Sequence, residues 1–168
     1  MKKTAKLVIL TVILVFFDQW TKGLAVKYLM GTAGLPIIDG VFRLQYLENR
    51  GAAFGMLQNQ QVFFALMTVI VLVILSFLYF KMPSSKRFLP LEYNTILLIS
   101  GAIGNFIDRT TQKYVVDFLY FELIDFPIFN VADCYVVIAT FLFALLIVFY
   151  YKEEELSFLT LKKKEQAD

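Results

Sequence analysis

Residues 62–80, VFFALMTVIVLVILSFLYF, run through nineteen positions without one charged side chain. At 1.5 Å per residue that stretch crosses a hydrocarbon layer of about 30 Å, and no soluble domain of ordinary size needs such a helix. A second stretch, 131–151, is apolar except for Asp133 near its start and ends on Tyr150 and Tyr151, aromatic residues suited to an interface. The remaining composition agrees: 59% of the 168 residues are hydrophobic and 18% charged, and a globule this small could not hide so much apolar area from water by itself.

Two further spans are expected. Residues 91–108 are less apolar, but Ser100, Gly101, Ala102 and Gly104 would let a neighbouring helix come close, as packed membrane helices require. The N-terminal stretch opens with Lys2, Lys3 and Lys6 and continues apolar from Leu7 to Phe17, a profile shared with secretory leaders. No small-x-small cleavage site follows, and apolar character resumes after Lys22, so a retained span over 7–28 is expected. The fold class is therefore a mainly α integral membrane protein, one membrane domain over 1–168 built on a four-helix bundle with spans near 7–28, 62–80, 91–108 and 131–151.

Ten of the sixteen basic residues fall in three short segments, at the N-terminus, between the second and third spans, and after the fourth. The positive-inside rule puts these segments, both termini and the 152–168 tail in the cytoplasm. Segments 31–61 and 108–130 then face outwards. In the first, Leu35-Pro36-Ile37-Ile38, Asp39-Gly40 and the run Val41 to Leu47 predict a small β-hairpin closed by a type I′ turn, against an irregular interfacial loop as the alternative. The second, rich in Phe, Tyr, Leu and Ile, reads as an outer loop lying on the membrane.

Histidine is absent and Cys134 is the one cysteine. Zinc sites built on those residues, iron–sulfur clusters, Ser-His-Asp triads and internal disulfides are excluded, and no cofactor is expected. Chemistry near neutral pH falls to Asp, Glu, Lys or Tyr. An ionisable group at membrane depth costs about 2.5–3.5 kcal/mol on insertion scales, so each needs a partner or a purpose.

Asp18 and Lys22 lie four apart on one helical face, as a structural ion pair or as support for a neighbouring polar site. Asn105, Asp108 and Arg109 fall at spacings of three and four; they either finish the third helix or hold a carbonyl or carboxylate. Asn49, Arg50 and Gly51 open a cluster of small residues running to Gly55, which reads as turn chemistry or as a backbone surface for an extended peptide. Asn130 suits the N-cap of the fourth span, which would make Asp133 a helix-start acid. Asp117 resists any such bland account. It lies in Tyr114-Val115-Val116-Asp117-Phe118-Leu119-Tyr120, where an unpartnered carboxylate is expensive.

Asp125-Phe126-Pro127 gives the chain a place to reverse, so Asp117 can return to the mouth of the fourth span beside Asp133. Two adjacent carboxyls share one proton, which is the equipment of an aspartic protease: one carboxylate activates water, and the other acid protonates the carbonyl oxygen and then the leaving amine. A transporter or proton relay would keep the same groups inside a bundle. A Ser-Lys peptidase would need Ser100 beside an unprotonated Lys22.

Five segments in order, Asp18 to Lys22, Asn49 to Gly55, Gly101 to Arg109, Val116-Asp117-Phe118 and Phe129 to Asp133, resemble those of lipoprotein signal peptidase, the bacterial type II signal peptidase, with no departure at these positions. The resemblance implies a membrane aspartic endopeptidase of the bacterial cytoplasmic membrane that removes signal peptides from diacylglyceryl-modified prolipoproteins, cutting before the lipidated Cys near the outer face. It implies Asp117 and Asp133 as the catalytic pair and Asn49, Asn105, Arg109 and Asn130 as residues lining or supporting the site. Asp18, Lys22, Gly51 and Asp108 would hold its architecture. Globomycin-like cyclic peptides are the implied inhibitors and membrane lipids the surroundings. Cys134 reads as a small packing residue.

Overall fold

The computed structural model describes residues 2–51 and 60–159. Four long helices account for most of them: α1 (Lys3–Leu29), α2 (Gln61–Lys81), α3 (Leu89–Thr111) and α4 (Val131–Leu145), the last prolonged by a π-helical turn over Leu146–Tyr150. Three stretches, Lys3–Leu29, Val62–Lys81 and Val131–Tyr150, are long and apolar enough to cross a membrane. Their outward faces are apolar, with Val12, Phe16, Val73, Val137 and Phe141 all more than half exposed, the inverse of a water-facing helix.

α3 differs. Its 23 residues include Glu92, Asn94, Asn105, Asp108 and Arg109, and it buries more positions than any other described helix. It lies against α1, α2 and α4. The small residues explain the close approach to α4: a Cβ on Gly101 would sit 2.6 Å from the carbonyl oxygen of Ala132, and one on Gly104 3.1 Å from the Ala132 Cβ.

The segment between α1 and α2 forms β1 (Leu35–Ile38) and β2 (Phe42–Asn49), an antiparallel pair. The expected type I′ turn is corrected: it needs positive φ at both central residues, whereas Gly40 has φ 68° and Asp39 is not in the left-handed region. The Val41 N–H donates to the Ile38 carbonyl at 3.0 Å, so positive φ is needed at the third turn position alone, as in type II.

The expectation of a loop after α3 is also revised. Val115–Tyr120 is β3, antiparallel to β2 and completing a sheet of order β1-β2-β3, in which Leu47 faces Asp117 and Asn49 faces Val115. Val115 to Phe118 are all buried, and Val116 and Phe118 pack on Ala25 and Leu29 at the end of α1. After β3 the chain makes a short 3-10 turn, takes Asp125 through φ 46°, and returns. The Phe129 carbonyl accepts from Phe118 N–H and Leu119 N–H at 2.9 and 2.8 Å, and Phe129 N–H donates back to Leu119 at 3.0 Å. This return sets the start of α4 beside β3. At the other end of the bundle Arg87 holds Glu155 at 2.9 Å, docking the residues after α4 against the α2–α3 connection. Most of the tail, and Ala52 to Gly55 of the small-residue cluster, lie outside the described residues.

Candidate active site

Asn130 is the N-cap of α4 and closes a capping box with Asp133: its side chain accepts the Asp133 N–H at 3.0 Å, and its own N–H donates to Asp133 Oδ2 at 3.1 Å. The cap alone is ordinary helix chemistry. Its carboxamide nitrogen, however, points away from α4 and donates to Asp117 Oδ1 at 2.6 Å. One residue therefore touches both acids.

The other carboxylate oxygens are held equally. Asn49, at the end of β2, donates to Asp117 Oδ2 at 2.8 Å, and its Oδ1 is fixed by the Gly51 N–H at 3.0 Å. Asn105 on α3 donates to Asp133 Oδ1 at 2.7 Å. The Asn105 Oδ1 accepts from Asn130 Nδ2 at 3.1 Å and from Lys22 Nζ at 2.9 Å. Each of the four carboxylate oxygens thus receives an N–H, three of them from asparagine side chains that carry no charge. Among the described residues no hydrogen bond runs directly between the two carboxyls.

Behind the acids lies a buried ionic hub. Lys22 Nζ sits 2.9 Å from Asp18 Oδ2 and 3.0 Å from Asp108 Oδ2, with Asp18 wholly shielded and Lys22 nearly so. A lone charge at such a place is prohibitive; a lysine between two carboxylates and an amide oxygen is tolerable because every proton has an acceptor. Both acids of the hub also reach the elements that carry Asp117 and Asp133. Asp18 Oδ1 accepts the Ala132 N–H at 2.8 Å, one residue before Asp133, and Asp108 Oδ2 accepts the Val116 N–H at 3.1 Å, one residue before Asp117.

The polar groups expected from sequence, Asp18, Lys22, Asn49, Gly51, Asn105, Asp108, Asp117, Asn130 and Asp133, therefore form one connected network. Arg109 stands apart. It makes no ion pair with Asp108, since consecutive helical residues point about 100° apart. Its guanidinium instead lies 5.0 Å from the ring centre of Phe64 on α2 and lines the groove that Asp117 and Asp133 also line. Ser100 spends its hydroxyl on the Ile96 carbonyl at 2.7 Å, and the Lys22 ammonium is taken up by Asp18, Asp108 and Asn105 and makes no hydrogen bond to Ser100. Cys134 is half-buried in the same groove.

Gln19 went unassigned in the sequence reading. Its amide nitrogen reaches Asp108 Oδ1 at 2.9 Å, the Gly104 carbonyl at 3.1 Å and Asp18 Oδ2 at 3.2 Å. A signal existed, since a glutamine beside Asp18 on an apolar helix needs partners as much as the acid does. Arg43, which reaches the Ala33 carbonyl at 2.6 Å and Glu122 at 3.4 Å across the far wall of the groove, gave no such signal.

The groove has a volume of about 1240 Å³, above the usual range for small-molecule sites and ample for an extended peptide with attached chains. Burial pushes the Asp117 carboxyl up to about 7, reinforced by the negative charge of Asp133 and opposed by the donors Asn49 and Asn130 and the charge of Lys22. A carboxyl that changes state near neutrality, beside a second carboxyl in an open groove, is equipped to exchange protons with a bound substrate. Among the described residues no cluster of His, Cys, Asp and Glu could hold a metal ion.

Comparison with known proteins gives a consistent result. The family described as Signal peptidase (SPase) II matches residues 10–149. A lipoprotein signal peptidase of Caldanaerobacter subterraneus subsp. tengcongensis is 43% identical over 143 residues, covering 84% of this chain and 95% of that protein. One from Streptococcus thermophilus is 46% identical over 141 residues, covering 84% and 89%. A solved structure described as a bacterial membrane enzyme determined by the in meso method superposes with a TM-score of 0.75 at 30% identity, covering 98% of this chain and 95% of the other.

Proposed function

We propose, from the premise that this chain belongs to the signal peptidase II family, that it cleaves its substrate with the aspartate pair Asp117 and Asp133. As a member of that family it is a multi-pass membrane protease that removes signal peptides from prolipoproteins. That membership does not favour a transporter or proton relay.

The catalytic type rests on one observation above all: two acids from different elements, β3 and α4, are joined through Asn130 and open together into the groove. Asp117 holds the proton near neutrality and Asp133 is the base. Asp133 takes a proton from water, the hydroxyl oxygen bonds to the peptide carbonyl carbon, and Asp117 gives its proton to the carbonyl oxygen. As the tetrahedral adduct collapses, the C–N bond breaks, the new amine takes the proton from Asp133, and the hydroxyl that re-forms the C=O returns its proton to Asp117. The asparagines hold both carboxyls without adding charge, and Lys22 with its two partners supports them from behind. Arg109 faces the substrate across the groove.

The four helices form a four-span bundle with α3 as its innermost member, the chain being one membrane domain with both termini and the 152–168 tail in the cytoplasm. The sheet and the residues 121–129 lie at the outer face. There Leu123, Ile124 and Phe126, all well exposed, rest on the membrane while the leader helix of a diacylglyceryl prolipoprotein stands in it, so that the bond before the lipidated Cys reaches the acids. Globomycin-like peptides compete for the same groove.

The test uses purified full-length protein in detergent and a diacylated prolipoprotein. Asp117→Asn and Asp133→Asn are each expected to lower turnover by at least about 10²–10⁴-fold, the usual worth of a positioned acid or base, with thermal midpoints near wild type. Undiminished turnover in either variant overturns the assignment.

A further inference from the structure

A second groove, of about 520 Å³, opens between α1 and α4 over the first turns of α3, and it shares no residue with the groove that holds the acids. Its walls are apolar side chains such as Leu10, Ile13, Leu97 and Leu142, with Tyr93 and Asn94 as its polar members. Asn94 is 5% exposed, yet neither its Nδ2 nor its Oδ1 has a hydrogen-bond partner. Buried amides are almost always paired, and one left open onto a groove points to something that pairs with it there.

Depth and charge identify the occupant. Lys86 and Arg87 directly precede α3, and in a bilayer such basic residues at a helix end sit at the surface. Asn94 stands five residues beyond Leu89, the first residue of α3, hence about 8 Å along the axis at 1.5 Å per residue. The polar layer on each side of a bilayer is about 5–8 Å deep, so the amide meets the level where glycerol esters give way to acyl chains. Next to the groove residue Tyr93, Lys6 pairs with Glu92, and Lys3, which donates to the Met82 carbonyl at 2.7 Å, reaches the same carboxylate at 3.7 Å, so two ammonium groups share one negative charge. Lys6 Nζ lies 5.2 Å from the ring centre of Tyr93, a groove residue.

We propose that this groove binds one anionic phospholipid. An acyl chain lies along Leu10, Ile13, Leu97 and Leu142, an ester carbonyl accepts from Asn94 Nδ2, and the phosphate faces Lys3 and Lys6. The proposal requires the chain to sit in a membrane but is independent of which residues cleave peptide bonds.

The full chain in neutral detergent, titrated separately with phosphatidylglycerol and phosphatidylcholine, is read by native mass spectrometry. One phosphatidylglycerol is expected to bind wild type about tenfold more tightly than phosphatidylcholine, a preference worth one charge-assisted contact. Asn94→Leu, which keeps side-chain bulk while removing the amide, and Leu142→Trp, which fills the groove from a lipid-facing position, are each expected to lose that bound lipid. Both should cleave prolipoprotein in detergent at the wild-type rate, which separates this result from the fate of the Asp117 and Asp133 assignment. Phosphatidylglycerol retained by both variants overturns the proposal. So does equal binding of phosphatidylcholine, or a groove-dependent mass of two copies of the chain, or protection of the groove by the prolipoprotein leader instead of lipid.

Discussion

Asp18 accepts the backbone N–H of Ala132 at 2.8 Å, across 114 positions of sequence. The bond ties the middle of α1 to the first turn of α4, next to Asp133. Replacing Asp18 by Ala leaves that N–H unpaired and removes one of the two carboxylates facing Lys22. Breaking a buried pair in this way costs about 3–5 kcal/mol. The expected outcome is a clear fall in the thermal midpoint in detergent, with turnover reduced even below the new midpoint. An unchanged midpoint would show that the hub carries no structural weight.

Asp117 sets a pH dependence of stability. Its carboxyl ionises near pH 7 when folded, against 3.8 as the ordinary value. Between those limits the unfolded chain has released the proton and the folded protein still holds it, so stability falls as pH rises from about 4 to about 7 and levels off above. At about 1.4 kcal/mol per pH unit the span is on the order of 4 kcal/mol at most. Thermal midpoints from pH 4 to 9 should show this decline in wild type and a shallower one in Asp117→Asn. Parallel curves would contradict it.

Turnover should follow the same proton. The proposed mechanism needs Asp117 protonated, so activity is expected to fall on the alkaline side with a limb near pH 7, an apparent value belonging to the pair of acids. Asn49 donates to Asp117 Oδ2 and so favours its ionised form. Asn49→Ala removes that donor, and the alkaline limb is expected to move to higher pH while peak turnover drops. A limb displaced to lower pH would be incompatible with this geometry.

Two glycines give a contrast. A Cβ on Gly104 would stand 2.6 Å from Asp18 Oδ2, and Asp18 cannot yield because Lys22 and Ala132 hold it. Gly104→Ala is expected to cost about 1–3 kcal/mol by overpacking and to lower turnover by straining the hub. A Cβ on Gly23 would meet nothing within 4 Å, so Gly23→Ala should be neutral or gain up to about 1 kcal/mol from helix propensity. Chemical or thermal unfolding of both variants measures the difference.

The helices were legible because charge-free runs of spanning length are scarce and periodic, and the acids were legible because lipid makes each one conspicuous. The pairing of Asp18 with Lys22 followed from spacing alone. Its second and third partners, Asp108 and Asn105, did not, since they depend on how α3 rotates against α1. β3 was read as loop because Val115 to Phe118 are buried without alternation, which erases the period of a half-exposed strand. The dipeptide Asp39-Gly40 suits positive φ at both residues, but only Gly40 adopts it, and the pairing next to the turn shifts register between Pro36 and Ile38. The spacings of three and four set both Asp108 and Arg109 near Asn105, but which of them joins it in the polar network depends on how α3 turns in the bundle: Asp108 faces Lys22 and Arg109 faces Phe64.

The three backbone bonds that join Phe118 and Leu119 to Phe129 form a neck, and the stretch from Tyr120 to Ile128 hangs beyond it as a closed bight of chain. Beyond the neck the bight is braced against β2, where Arg43 pairs with Tyr120 and the Leu123 N–H donates to the Val41 carbonyl at 3.3 Å, and it forms one wall of the groove that Asp117 and Asp133 also line. A lengthened or shortened bight would therefore reshape that wall of the groove first.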